Sequence, residues 1–305
     1  MNETVLRELE GMKTGEPFFA RNLLIYPIYG PRGELNAMTL EEAMSSRKIE
    51  LRESGSVETA VLDYRGDAPL FILDGEEVVG ARQNRIFNTA IWAEQPARAS
   101  VPVSCVEEGR WSGGDEFNPA GTSVYPTLRA IIASSVTRSL MKTGKFKADQ
   151  SAVWRSISRK LTTLRVSSRT RSIHDAFETL KREIERYVEE IELGDDVVGL
   201  AAFAGGRFLS LDVFASNELM RKFKEKLVRG YALDAIELAN RSTPMGSFDV
   251  EPYLERLKGL RFREYNGAVH GRELRYIDNR FVAKAITDSD GRYIHAALFE
   301  VPDEN

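Results

Sequence analysis

Between Leu70 and Trp111 runs a stretch of 42 residues, LFILDGEEVVGARQNRIFNTAIWAEQPARASVPVSCVEEGRW, whose polar side chains fall at the ends of apolar runs. Asp74-Gly75-Glu76-Glu77 places three carboxylates within four positions. A fold tolerates such like charges where they are solvated, bind a cation or face arginine. Glu76 and Glu77 are therefore candidate general bases, and a divalent cation is the cofactor that carboxylates of this kind could hold. The plainer reading is a turn between Leu73 and Val78 with its glutamates pointing outward. After Gly80, which permits close backbone approach, come Arg82, Gln83, Asn84, Arg85 and Asn88. Two bidentate guanidinium groups and three amides suit phosphate, ribose or carboxylate. On a strand, Arg82 and Arg85 would point to opposite faces and converge only if the segment turns. The alternative is that the amides satisfy backbone groups in an irregular connection. Glu107 is a third candidate base; Arg110 could hold phosphate and Trp111 could stack on a base or sugar, or both could be rim packing. Cys105 reads as a small buried residue, and His270 and His295 as hydrogen-bonded structural histidines.

The runs DGEEVVGARQNRIFN and PVSCVEEGRW, followed by Gln150 with Val153 and Trp154, resemble the domain family associated with ADP-ribosylglycohydrolases and rhodanese-phosphatase superfamily proteins. The resemblance extends over most of the chain. It implies an association with ADP-ribose and NAD metabolism, because the family's name records genomic association rather than a reaction. Gln150, at a helix start, either caps that helix or reaches toward the site.

The elements that must position these residues sit in a chain of 305 residues, 42% hydrophobic and 29% charged, long enough for one large or two medium domains. No apolar stretch approaches the roughly 20 residues that a membrane span needs, and the start of the chain lacks a signal-peptide pattern; a cytoplasmic protein without a membrane partner is expected. A single cysteine excludes an internal disulfide, and three histidines without further cysteines argue against structural zinc. The net charge of −4 conceals an asymmetry: Arg138 to Arg171 holds ten Lys or Arg against one acid, so that segment carries +9 and the remainder −13. A solvated helix normally mixes both signs. Arg138, Arg155, Arg159, Lys160, Arg165, Arg169 and Arg171 therefore suggest an anionic partner, nucleic acid included, unless they dock on the acidic remainder of the chain.

The first ~110 residues read mostly as β, after a short helix from Glu3 to about Gly11. Leu23 to Ile28, Ile49 to Arg52, Val57 to Asp63, Leu70 to Leu73, Ile86 to Ala93 and Ala99 to Val106 have strand character, and Thr39 with Glu42 has capping-box spacing. Ser112 to Thr122 is a polar, glycine-rich loop. Pro126 suits the first turn of a helix ending at Gly144. A second helix runs to Leu164, with Val153, Trp154, Ile157 and Leu161 on one buried face, and a third from Ser172 to about Leu193. Gly205-Gly206 joins two strands as a hairpin. Helices follow over 217–228, 232–239 and 250–257, then four antiparallel strands from Leu260 to Phe299. The expected class is α+β and two-lobed: a β-rich region over 1–122 with the candidate site, a basic helical segment over 123–193, and an α+β region over 194–305, or all three in one compact unit.

Three functions fit. The first is binding, and by hydrolysis processing, of an ADP-ribose-like or other phosphorylated nucleotide, with one glutamate as base and the arginines on phosphate. The second is a non-enzymatic binder of nucleic acid or an acidic partner through the basic helices. The third is a scaffold whose basic helices are neutralised internally.

Overall fold

The computed structural model describes residues 3–4, 6–31, 33–239 and 248–301. The fold is α+β, and every strand ladder in it is antiparallel. The chain opens with β1 (Glu3–Thr4), a 3-10 turn at Arg7–Leu9, β2 (Lys13–Thr14), β3 (Phe18–Ala20) and β4 (Leu23–Tyr29). The helix expected at the start is thus a short strand and one tight turn. Then comes α1 (Leu40–Ser45), where the Thr39 hydroxyl accepts from the Glu42 amide at 3.2 Å and the Glu42 carboxylate accepts from the Thr39 amide at 2.8 Å. Each side chain satisfies an amide that the first turn leaves open.

Eight strands follow: β5 (Ile49–Glu53), β6 (Thr59–Tyr64), β7 (Leu70–Ile72), β8 (Glu76–Gly80), β9 (Arg85–Phe87), β10 (Ile91–Ala93), β11 (Ala97–Cys105) and β12 (Phe117–Ser123). Six of them form one sheet in the order β12-β8-β9-β11-β6-β5, while β7 and β10 pair separately. The run from Ile86 to Ala93 is therefore two short strands in different sheets. Asn88 lies between them and fixes the bend: its amide donates to the Pro102 carbonyl at 3.0 Å and its side chain accepts from the Ser104 hydroxyl at 2.6 Å.

The helices are α2 (Pro126–Thr143), α3 (Gln150–Thr163), α4 (Ile173–Thr179) and α5 (Lys181–Glu189), the last two dividing what the apolar spacing suggests as one. Next come β13 (Val197–Ala204) and β14 (Arg207–Phe214), joined through Gly205 and Gly206 at φ +53° and +77°, as the hairpin signal requires. Then α6 (Asn217–Leu238) runs unbroken through the position where two helices were expected. Gly230 sits in its middle because a Cβ there would meet the Val124 and Ser123 carbonyls at 3.1–3.2 Å, so the helix interior gives up propensity for close packing. The chain closes with α7 (Glu251–Lys258), β15 (Phe262–Asn266), β16 (Arg272–Ile277), β17 (Phe281–Thr287) and β18 (Tyr293–Glu300).

Both ends of the chain build one ten-stranded sheet, in the order β1-β15-β16-β17-β18-β14-β13-β4-β2 with β3 on β4. Alternation along β4 shows how it is buried: Leu23 and Ile25 face the core shared with α2, α3 and α6, while Leu24, Tyr26 and Ile28 face the core beneath α7. Each such side chain removed from water contributes ~2 kcal/mol. On α2, Leu128, Ile132, Val136 and Leu140 enter the first core, and Ala130 and Ala133 lie against Val282, Ala297 and Phe299 of the large sheet. Two buried faces, one lined by alanine, hold α2 close over the sheet. No helix among the described residues is long and apolar enough to cross a membrane.

Candidate functional site

The three carboxylates of the Asp74–Glu77 turn point to three different helices. Gly75 turns the chain at φ +78°, where a Cβ would press on Arg129, Val124 and Ser123. Asp74 is bound by Arg129 of α2, which donates from Nε and Nη2 at 3.1 Å each. Arg129 also donates to both oxygens of Asp212 on β14, at 3.0 and 2.7 Å. Lys284 of β17 pairs with Asp74, and His295 Nε2 lies 3.1 Å from Asp212. Asp212, Ala297 and Lys284 are register partners across β14, β18 and β17, and the small Ala297 leaves room between the two charges. Burial pushes the Asp74 and Asp212 carboxyls up, but the facing cations outweigh it and hold both well below the usual range. Burial draws Lys284 down to about 8. The same face carries Arg275 and Glu273, 2.7 Å apart and joined through Thr89.

Glu76 turns instead to α6, 3.1 Å from Lys226, whose second partner is Glu41 at 2.6 Å. Burial lifts its carboxyl to about 7 against the pull of Lys226, while its Oε1 accepts from the Leu73 amide. Glu77 turns to α4. Its Oε2 lies 3.2 Å from Nδ1 of His174 and accepts from the Thr122 hydroxyl at 3.0 Å, and its buried Oε1 has no partner among the described residues. Hydrogen bonding to Glu77 raises the His174 pKa although burial opposes it. His174 keeps 29% of its side chain exposed, so this pair alone of the three reaches solvent.

Gln83, Asn84, Glu107 and Arg110 come together as a second network. Glu107 accepts from the Asn84 amide, from Arg110 Nε and from the Thr170 hydroxyl, at 3.1, 2.8 and 2.8 Å. Although burial opposes it, the bonds from Arg110 and Thr170 hold its carboxyl below the usual range. Gln83 donates to the Glu107 carbonyl. All five N–H groups of Arg110 have acceptors: Glu107, Asn84 and the carbonyls of Gly80, Ala81 and Ser112. Ala81 stands at φ +43°, which costs about 1 kcal/mol or more for a residue with a side chain, and Arg110 holds that turn. Arg85 is fully buried, donating to the Val57 carbonyl and pairing with Glu53 at 3.4 Å. Gln150 brackets Cys105, accepting from its amide at 2.9 Å and donating to its carbonyl at 2.8 Å, so α3 is stitched to β11 as a strand would be. Arg82 and Trp111 meet at the surface, with the guanidinium 5.9 Å from the indole centre and Trp111 54% exposed. His270 accepts from the Glu94 amide.

A cleft of about 1050 Å³ opens on the other side of α2, bounded also by α3, β14 and α6. It is lined by residues outside the Leu70–Trp111 stretch. Arg155 and Arg159, one turn apart on α3, stand on one side and Arg207 of β14 on another; all three are exposed and have no side-chain partner among the described residues. The acids of the lining are committed. Asp149 caps α3 by accepting from the Ala152 amide, Glu300 faces Arg280 at 3.5 Å, and Asp234 and Glu237 both pair with the buried Lys160. Asp234 also accepts from the Thr127 amide and hydroxyl at the start of α2. Lys160 lies 4.3 Å from the Tyr125 ring centre. Ser134, 3% exposed, lines the cleft with a hydroxyl that has no partner among the described residues. Ile131, Phe208, Leu209 and Leu238 give it an apolar part. Arg207 was legible only as the end of the Gly205-Gly206 hairpin, and nothing in local spacing joins it to α3.

Comparison with known protein families matches residues 11–299 to the ARG and Rhodanese-Phosphatase-superfamily-associated Protein domain. No curated protein and no solved structure matches the chain.

Proposed function

The chain belongs to that family, and we propose that it binds a phosphorylated small molecule of nucleotide size, of the ADP-ribose kind, in the cleft beside α2. One observation carries the reading: three guanidinium groups without side-chain partners among the described residues, from two elements, surround a space whose acids are already neutralised or capping a helix. Arginine forks favour phosphate, and a volume of this order accommodates a nucleotide. The apolar part formed by Ile131, Phe208 and Leu238 suits a base. The ADP-ribose character draws on the family's associations.

The test is thermal unfolding with AMP, ADP-ribose and NAD. A ligand that binds only the folded state raises the melting temperature by several degrees at a large excess over its dissociation constant. Replacing Arg155 and Arg159 by alanine abolishes that rise and leaves the unliganded melting temperature within about a degree, since exposed side chains without partners contribute little. A rise that persists in the double variant removes the site from this cleft.

A second reading, hydrolysis at a site other than that cleft, is favoured by His174 and Glu77, neither of which lines it. A buried carboxylate on Nδ1 orients an imidazole for proton transfer at its other nitrogen. Loss of nucleotide turnover in Glu77→Gln and His174→Asn, with affinity retained, supports it; turnover equal to that of the parent chain overturns it.

A further inference from the structure

Six of the ten cations between Arg138 and Arg171, namely Lys142, Lys145, Arg155, Arg159, Arg165 and Arg169, are exposed and have no side-chain partner among the described residues. Lys147, Lys160 and Arg171 are paired with acids, Glu58, Asp234 with Glu237, and Glu108 respectively, and Arg138 is engaged as well. Internal neutralisation therefore accounts for a minority of the basic segment. The unpaired cations also have an order. Arg155 and Arg159 stand at the cleft; Lys142 and Lys145 lie around the end of α2, and Arg165 follows Thr163, a lining residue, by two positions. Positive charge thus continues past the cleft in both directions along the α2–α3 hairpin.

A free mononucleotide leaves Lys142, Lys145 and Arg165 without a role. We infer that the nucleotide taken into the cleft is one unit of a single-stranded nucleic acid whose neighbouring phosphates lie along the exposed flank of α2 and α3. The inference rests on the cleft being a nucleotide site. The 14 residues of α3 span about 21 Å, the length of about six nucleotides at a stacked rise of ~3.4 Å. A single strand is required because a nucleotide can enter the cleft only after leaving its stack and its pairing partner. Every contact named on the flank is to backbone charge, so binding is expected to tolerate sequence and to weaken steeply with salt.

The experiment compares AMP with a 5′-phosphorylated eight-nucleotide single strand, by calorimetry and by fluorescence anisotropy at several salt concentrations. Three proteins are used: the parent chain, Arg155→Ala/Arg159→Ala, and a flank variant with Lys142, Lys145 and Arg165 each changed to glutamate. The parent chain should bind the oligonucleotide at least tenfold more tightly than AMP. The flank variant should lose that advantage, with the salt slope reduced by ~0.7 for each phosphate contact removed, yet keep its AMP affinity. The cleft variant should lose both ligands. AMP binding with no tighter binding of the oligonucleotide overturns the inference and leaves the cleft reading intact. So does a duplex of the same sequence binding as well as the single strand, or oligonucleotide binding indifferent to Arg155 and Arg159. Failure to bind either probe overturns the cleft reading and the inference together.

Discussion

Arg129 grips Asp74 through two hydrogen bonds of 3.1 Å while its remaining donors hold Asp212, so one guanidinium ties the turn before the six-stranded sheet to a central strand of the ten-stranded one. Both carboxylates and the guanidinium are almost wholly withdrawn from water. Such a cluster is neutral or modest in net stability while complete, but breaking it leaves an uncompensated buried charge.

Asp74→Ala should therefore lower unfolding stability by about 3–5 kcal/mol, read from urea denaturation, because Lys284 loses its carboxylate partner and Arg129 loses half of its acceptors. A loss below about 1 kcal/mol would show that water reaches the cluster.

Glu76 reports through pH. Its carboxyl titrates near 7 in the folded chain against an ordinary value near 4.5. Between those values the folded state keeps a proton that the unfolded state has released, so stability falls as pH rises through the window, by on the order of 3 kcal/mol. Below the ordinary value both states are protonated and the difference vanishes. Glu76→Gln should flatten this fall between pH 4.5 and 7.5 in urea unfolding. An unchanged slope would mean that Lys226 keeps Glu76 ionised throughout.

What could be read from the chain beforehand was mostly local. The Thr39 capping box, Pro126 at the start of α2, Gly144 at its end and the Gly205-Gly206 turn depend on a few neighbouring residues, and each stands where expected. Long-range pairing was not legible. Nothing in Leu23–Tyr29 says that it lies beside Val197–Ala204, because strand register is set by partners distant in sequence. Two helices were expected over 217–228 and 232–239 where α6 runs unbroken, because helix propensity is a local measure, whereas the close contact of Gly230 with Val124 is tertiary. The buried cluster did leave a trace: Asp212, Lys284 and His295 are ionisable residues in the interior of largely apolar strands, a position that requires a buried partner. Their partners, Asp74 and Arg129, lie 55 residues apart in sequence.

Arg85 and Arg82 separate the structural from the accessible guanidinium groups of the opening stretch. Arg85→Ala should cost about 2–4 kcal/mol, since it strands the buried Glu53 and removes the hydrogen bond to Val57. Arg82→Ala should fall within about 0.5 kcal/mol, as only a contact of 3.9 Å to the exposed Asp115 and the face of Trp111 are lost. Paired urea melts decide it, and equal effects would contradict the burial of Arg85.

His174 gives the most direct measure of whether Glu77 is an ionised, orienting partner. Its imidazolium is favoured by the hydrogen bond to Glu77, so its folded pKa stands above the ordinary histidine value. The stability this supplies is fully present below the unfolded histidine value and is lost as pH rises through the raised one. Glu77→Gln keeps an acceptor for the Thr122 hydroxyl but removes the charge, and the His174 pKa should drop below its parent value as the opposing effect of burial takes over. With three histidines in the chain, the ring proton resonances can be followed singly by NMR. His295, buried against Asp212 and drawn down by that burial, serves as the internal control that must not move. If the His174 titration is unchanged in Glu77→Gln, the carboxylate is not its partner in solution and the acid–base reading of this pair is lost.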